Sequence, residues 1–204
     1  MVVHVNDPLL EQHLKAERQL TGADRFDEVW EGIYMMAPLA DDEHQELQAR
    51  LTAVFQTVVG WSGLGLVRAG VNVSDRDDDW RFNYRCPDVV VFLPNTSAQN
   101  KGSHWLGGPD FAVEILSPYD RSRDKLDFYS DVLVRELLLI DRSPWAIELY
   151  RPNNGRLTLN ATSTLADPKV LRSQLLPLSF KLIGGAPRPA IEVLHSDGKQ
   201  RWLV

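Results

Sequence analysis

Leu47, Leu51, Val54, Phe55 and Val58 recur at spacings of three and four, so they line one stripe of a helix. Asp41 and Asp42 ahead of the stripe are N-cap candidates, Gln45 three residues after Asp42 fits a capping box, and Gly60 is placed to end the helix. Asp7 to Gln19 reads as a short first helix. Glu28 to Met36 mixes Val29, Trp30, Ile33 and Tyr34 with Gly32 and reads as a strand or hairpin arm. Gly63 to Ser74 reads as strand, and Asp75 to Trp80, with four Asp and one Arg, as a hairpin tip. Three apolar runs follow, Val89 to Leu93, Phe111 to Leu116 and Leu137 to Ile140. Apart from Glu114 they are apolar on both faces, which predicts strands in the middle of a sheet. Arg121 to Val134, between the second and third runs, is helical by the spacing of Leu126, Tyr129 and Leu133, so the order predicts a strand–helix–strand crossover. Ala146 to Arg151 alternates like a solvated strand, and Asn153-Asn154-Gly155 is a hairpin turn signal. The last third, rich in Pro and Leu, carries no clear pattern.

Composition changes this picture little. The chain has 204 residues, 44% hydrophobic and 25% charged, which suits one globular α/β domain with no linker inside it. No apolar run is long enough to span a bilayer, and Met1 to Leu10 lacks a basic-then-apolar signal pattern. Cys86 is the sole cysteine, so no intrachain disulfide forms. The expectation is a soluble cytoplasmic protein without a membrane partner. The net charge of −6 counts against a nonspecific nucleic-acid binder, whose affinity rests on neutralising phosphates. It leaves room for an enzyme that brings a divalent metal and a local basic rim to its substrate.

Glu114 is the most informative residue, because it interrupts Phe111-Ala112-Val113 and Ile115-Leu116 in a strand that otherwise reads as buried. A buried carboxylate normally pairs, binds metal or takes up a proton. The plainer reading is a salt bridge to a core Arg, or an edge strand whose Glu faces water. Asp88 opens another buried strand directly after Pro87, where Asp is often only a turn former. If the two strands are neighbours, both carboxylates reach one end of the sheet and suit a hard cation such as Mg²⁺. Lys125, sharing a helical face with Tyr129, could orient a metal-bound water or oppose charge on phosphate; a solvated pair with Asp124 or Asp127 is the commoner fate. His44, in line with Leu47 and Leu51, could face the same sheet end or be a core or capping histidine. Glu43 and Glu46 could add a metal ligand or form a solvated face, the second being preferred. Cys86 reads as a packed thiol. The sequence has no P-loop, dinucleotide fingerprint, nucleophile elbow or zinc-ligand spacing among His4, His13, His104 and His195.

Taken in order, these residues resemble a family. Glu31-Gly32-Ile33-Tyr34-Met35-Met36-Ala37-Pro38 leads into Glu43-His44-Gln45. Pro87-Asp88-Val89-Val90-Val91 and Val113-Glu114-Ile115-Leu116-Ser117-Pro118 follow, then Lys125, Tyr129 and Arg135-Glu136-Leu137-Leu138-Leu139-Ile140-Asp141. Over roughly residues 27 to 151 this is similar to the Uma family of restriction-endonuclease-like proteins, formerly a domain of unknown function, in the PD-(D/E)XK nuclease superfamily. The resemblance implies the restriction-endonuclease-like fold, a mixed central sheet flanked by helices, and phosphodiester hydrolysis dependent on Mg²⁺ or Mn²⁺. It makes Asp88 the aspartate of the PD motif and Glu114 the acidic member of the (D/E)XK motif. The superfamily lysine would fall at Leu116, so Lys125 is the candidate in its place; Glu136-Leu137 stands where a Glu-Tyr pair is usual. On this reading Asp88, Glu114 and the Ile115 carbonyl hold the metal, and Lys125 positions water or offsets charge. Arg85, Arg121 and Arg123 contact phosphate unless they are plain surface arginines, and Tyr129 lies beside the substrate. The partner is nucleic acid, DNA before RNA, and cutting two strands would suit a homodimer. Two alternatives stay open: a non-cutting nucleic-acid-binding or interaction module on the same fold, and a metal-dependent hydrolase of small phosphate esters.

Overall fold

The computed structural model describes residues 8–117 and 121–204. The expected helix start at Asp7 and Pro118 of the strand-end motif lie outside the described residues. In chain order the first elements are α1 (Pro8–Thr21), β1 (Glu28–Trp30), β2 (Ile33–Met35), α2 (Asp42–Phe55), β3 (Leu66–Ala69), β4 (Val73–Ser74) and β5 (Tyr84–Arg85). Then come β6 (Val89–Phe92), β7 (Gln99–Asn100), β8 (Trp105–Leu106), β9 (Phe111–Ile115), α3 (Leu126–Asp131) and β10 (Glu136–Arg142). The chain closes with β11 (Trp145–Asn153), β12 (Arg156–Thr164), β13 (Leu171–Arg172), β14 (Leu178–Ile183), β15 (Ala190–His195) and β16 (Arg201–Leu203). No helix among the described residues is long and apolar enough to cross a membrane.

The central sheet runs β12-β11-β10-β9-β6-β3 and is mixed. β9 and β10 are parallel, joined through α3 as the crossover pattern predicts, while β6 pairs antiparallel to β9. Side chains alternate between its faces. Val89, Val91, Phe111, Val113, Ile115, Leu138 and Ile140 point toward the α2 stripe, and Val90, Ala112, Leu137 and Leu139 toward Phe128 and Tyr129 of α3. Each fully buried Leu, Val or Phe contributes roughly 1.5–3 kcal/mol over leaving it in water. This is the mixed central sheet flanked by helices that the sequence leads one to expect.

Local details differ from the sequence pattern for identifiable reasons. Residues 121–134 are not one helix but a 3₁₀ turn (Ser122–Lys125) followed by the short α3. Leu133 adopts φ +67°, and the Val134 and Leu133 N–H groups return to the Tyr129 and Ser130 carbonyls, a Schellman closure that turns Leu133 out to solvent. Residues 63–74 divide at Gly70 (φ +60°): β3 joins the central sheet, and β4 joins a second sheet ordered β2-β1-β5-β4-β8-β7. Asp41 is the N-cap of α2, its Oδ1 accepting from His44 N–H at 2.8 Å, so the third helical position is His44 and not Gln45. Beyond Phe55 the helix widens into a π turn, Gln56–Gly60. The last third, where no pattern stood out, forms an antiparallel sheet β13-β14-β15-β16. Phe180 of that sheet packs on Phe55 and Phe111, with ring centroids 6.2 and 5.9 Å apart.

Candidate active site

The antiparallel register of β6 and β9 ends with Val89 opposite Val113, and Asp88, just ahead of β6, donates its N–H to the Val113 carbonyl beside Glu114. The two strands that the sequence singled out are therefore neighbours, and both carboxylates line one pocket of about 750 Å³, counting its open mouth. His44, Gln48, Glu28, Lys125 and Arg121 are among the polar residues of its wall, and Phe26, Trp30, Met35 and Ile115 among the apolar ones.

Asp88 is held from two sides. Its Oδ1 lies 2.9 Å from His44 Nε2, and its Oδ2 accepts from Ile115 N–H at 2.7 Å. Gln48 Nε2 donates to the Asp88 carbonyl at 2.9 Å, so the first two turns of α2 both grip this residue. His44 Nδ1 is buried without a hydrogen-bond partner. Ile115 thus lies at the site, and it is its N–H that meets the aspartate.

Glu114 is 3% exposed. It accepts from Lys125 Nζ at 3.1 and 3.2 Å, from Ser122 Oγ at 3.3 Å, and from the Tyr129 hydroxyl in a short hydrogen bond. Burial pushes its carboxyl up to about 8, against the pull of Lys125, with Asp88 and Glu28 adding to the rise. Two other buried carboxylates of the sheet show the plainer fate. Asp110 pairs with Arg135, and Glu136 with Arg151, each also taking backbone N–H groups. Glu114 has no such arginine partner among its observed hydrogen bonds and opens on a pocket instead.

Lys125 is buried and reaches a residue that sequence reasoning missed. Its ammonium donates to Glu28 Oε1 at 2.8 Å. Glu28 stands at the head of β1, where its other oxygen accepts from Trp30 Nε1 and Oε1 also receives Cys86 N–H. No local signal separates it from Asp27 and Glu31 beside it. Asp27 pairs with Arg18 and Tyr34, and only the fold shows that Glu28 turns toward Lys125.

The remaining candidates divide. Arg121 lines the mouth, exposed, with Nε bonded to Asp124 and its guanidinium over the Trp30 ring. Arg123 lies outside the pocket wall, exposed and bonded to Asp141 and Glu148. Arg85 is buried between the rings of Trp30 and Phe128, donating to the Val29 and Tyr84 carbonyls and to Asn83. In that position it is part of the packing and has no face for a phosphate. Tyr129 is fully buried beneath Glu114, so its role is to hold the carboxylate. Glu43 turns to Arg142 and Arg188, and Glu46 to Arg50 and Arg188, away from the pocket wall. Cys86 is a packed thiol that burial pushes well up, away from thiolate chemistry.

The donor set suits a hard cation. Two facing carboxylates, a third beyond a lysine, and carboxamide side chains are oxygen chemistry, and crowded buried carboxylates gain from a positive ion between them. Among the described residues no three His, Cys, Asp or Glu side chains make a ready cage. An ion such as Mg²⁺ takes one or two carboxylates and fills the rest of its shell with water and phosphate oxygens.

Comparison with known proteins agrees with the architecture. A crystal structure described as that of a putative nuclease belonging to DUF820 from Anabaena variabilis ATCC 29413 superposes with a TM-score of 0.56. The two are 20% identical over 72% of this chain and 80% of that one, a likeness of fold. No curated protein matches the sequence. The model of the Uma2 family, described as putative restriction endonuclease, matches residues 10–184. By that match, which spans most of its length, the chain belongs to the Uma2 family.

Proposed function

We propose that this chain is a metal-dependent endonuclease that hydrolyses phosphodiester bonds in nucleic acid, DNA in preference to RNA. One observation carries the reading: Asp88 and Glu114, at the same end of the paired strands β6 and β9, line one pocket whose wall also holds Lys125 and His44. Asp88 and Glu114 would hold a Mg²⁺ or Mn²⁺ ion, which when bound acidifies a water and draws charge from the scissile phosphate. Lys125 supplies a fixed positive charge beside the phosphate, where it opposes the negative charge gathering in the transition state. Tyr129 and Ser122 keep Glu114 aimed at the pocket, and His44 and Ile115 N–H do the same for Asp88. Arg121 at the mouth meets the phosphate backbone once it lets go of Asp124. The reading takes the chain as one domain, acting as a homodimer where both strands are cut, in a reducing cytoplasm that suits the buried lone Cys86.

The test is cleavage of supercoiled plasmid, single-stranded DNA and RNA with Mn²⁺, Mg²⁺ or EDTA, comparing the parent with D88A and E114Q. Metal-dependent nicking is expected, falling by at least about 100-fold in each variant. An E114Q protein that cuts as fast as the parent would remove Glu114 from the site. Binding without cleavage under every metal would favour a non-cutting module. Turnover of a small phosphodiester with no effect on polymers would favour the small-ester hydrolase.

A further inference from the structure

Lys125 occupies a place that is chemically a cation site. Its ammonium lies 2.8 Å from Glu28 Oε1 and 3.1 Å from Glu114 Oε1, and its side chain is one-tenth exposed. The two carboxylates come from separate sheets, through β1 and β9, and converge on this ammonium. Each has other donors: Glu28 takes Trp30 Nε1 and Cys86 N–H, and Glu114 takes Tyr129 and Ser122. Those donors fix the oxygens independently of the lysine, so the gap between them persists when the ammonium leaves. Charge completes the argument. With Glu114 deprotonated, as it must be to hold a metal, Glu28, Asp88 and Glu114 against Lys125 leave two formal negative charges, which one divalent ion balances. Without the ammonium there are three, in a wall lined by Phe26, Trp30 and Met35, and one divalent ion no longer suffices.

We infer that the space between Glu28 and Glu114 is a second cation position, filled in this chain by its own Lys125 ammonium and open to a divalent metal once that ammonium is removed. Lys125 thereby holds the metal count at one. The inference rests on the reading that Asp88 and Glu114 hold the first ion.

The test counts bound Mn²⁺ at equilibrium, by the electron paramagnetic resonance signal of the free ion, with no nucleic acid present. K125M keeps most of the aliphatic stem and loses the charge. One Mn²⁺ is expected on the parent, two on K125M, and one again on K125M/E28Q. The same ion count on K125M as on the parent, or two retained on K125M/E28Q, overturns the inference. No ion on the parent, with one on K125M that E28Q removes, keeps the second position and defeats the reading of the first. Should metal-free K125M melt below the assay temperature, Mn²⁺ is titrated into it and cooperative melting followed. Its return, lost again in K125M/E28Q, supports the position, and no return at saturating Mn²⁺ overturns it.

Discussion

At the scale of single residues, Glu114 stood out because a charge inside Phe111–Ile115 has no cheap explanation, and it is buried at a pocket. Asp88 gained weight only beside Glu114, on the condition that their strands are neighbours, and Lys125 through the family pattern. Glu28 was not legible: its partner Lys125 lies 97 residues away, and the acids around it have unrelated duties. Arg85 misled in the other direction, since an arginine beside a motif aspartate reads as a phosphate contact until its burial is seen. Glu114 carries a pH signature. In the metal-free protein its carboxyl binds a proton more tightly than the ordinary value of 4.5, rising to about 8 through burial. A group whose folded pKa is raised contributes stability that is full below about 4.5 and is lost as pH climbs through about 8. Metal-free parent protein is therefore expected to lose melting temperature between pH 5 and 8.5 more steeply than E114Q, whose amide does not titrate. Thermal melts in EDTA at both pH values check this, and equal slopes for the two proteins would refute it.

At the scale of elements, turns and stripes were the readable parts. Asn154-Gly155, both at positive φ, close β11–β12 as their residue types direct, whereas Glu31-Gly32, also at positive φ, close the β1–β2 hairpin inside a stretch that reads as a strand or hairpin arm. The C-terminal sheet was missed although Leu178, Phe180 and Leu182 alternate, because the surface those side chains cover belongs to α2 and the central sheet. The split of residues 63–74 turns on Gly70, a single backbone choice inside an apolar stretch. Element α2 links fold to site, since its first turn supplies both the Asp41 cap and His44. Asp41 also pairs with Arg142, but that carboxylate is more than half exposed, so the ion pair adds little beside the cap. D41A is expected to cost about 1 kcal/mol in urea denaturation, and D41N, which keeps the capping oxygen, only a few tenths. Equal losses in the two variants would mean that the Arg142 pair, and not the cap, secures the helix that presents His44.

At the scale of the whole molecule, charge decides how nucleic acid would be held. The chain is acidic overall, at −6, and many of its arginines are already engaged by carboxylates. Arg123 serves Asp141 and Glu148, Arg151 serves Glu136, Arg188 serves Glu46, Arg201 serves Glu192, and Arg121 serves Asp124. A phosphate backbone must compete with those partners, so few counterions are released when it docks. Each phosphate neutralised contributes about −0.9 to the slope of log affinity against log salt on duplex DNA. With Arg121 and Lys125 as the cations nearest the pocket, the slope is expected to stay near −2 to −3, well short of what a basic groove gives. On the proposed reading, divalent metal would matter for binding as well as for chemistry, because it would relieve the repulsion between phosphate and the carboxylates at the pocket floor. Fluorescence anisotropy of a labelled duplex with D88A, which resists cleavage, across 20–200 mM salt measures that slope. A slope steeper than about −5 would show that the duplex draws arginines out of their ion pairs over a broad face. The pocket would then be only the centre of a much larger contact surface.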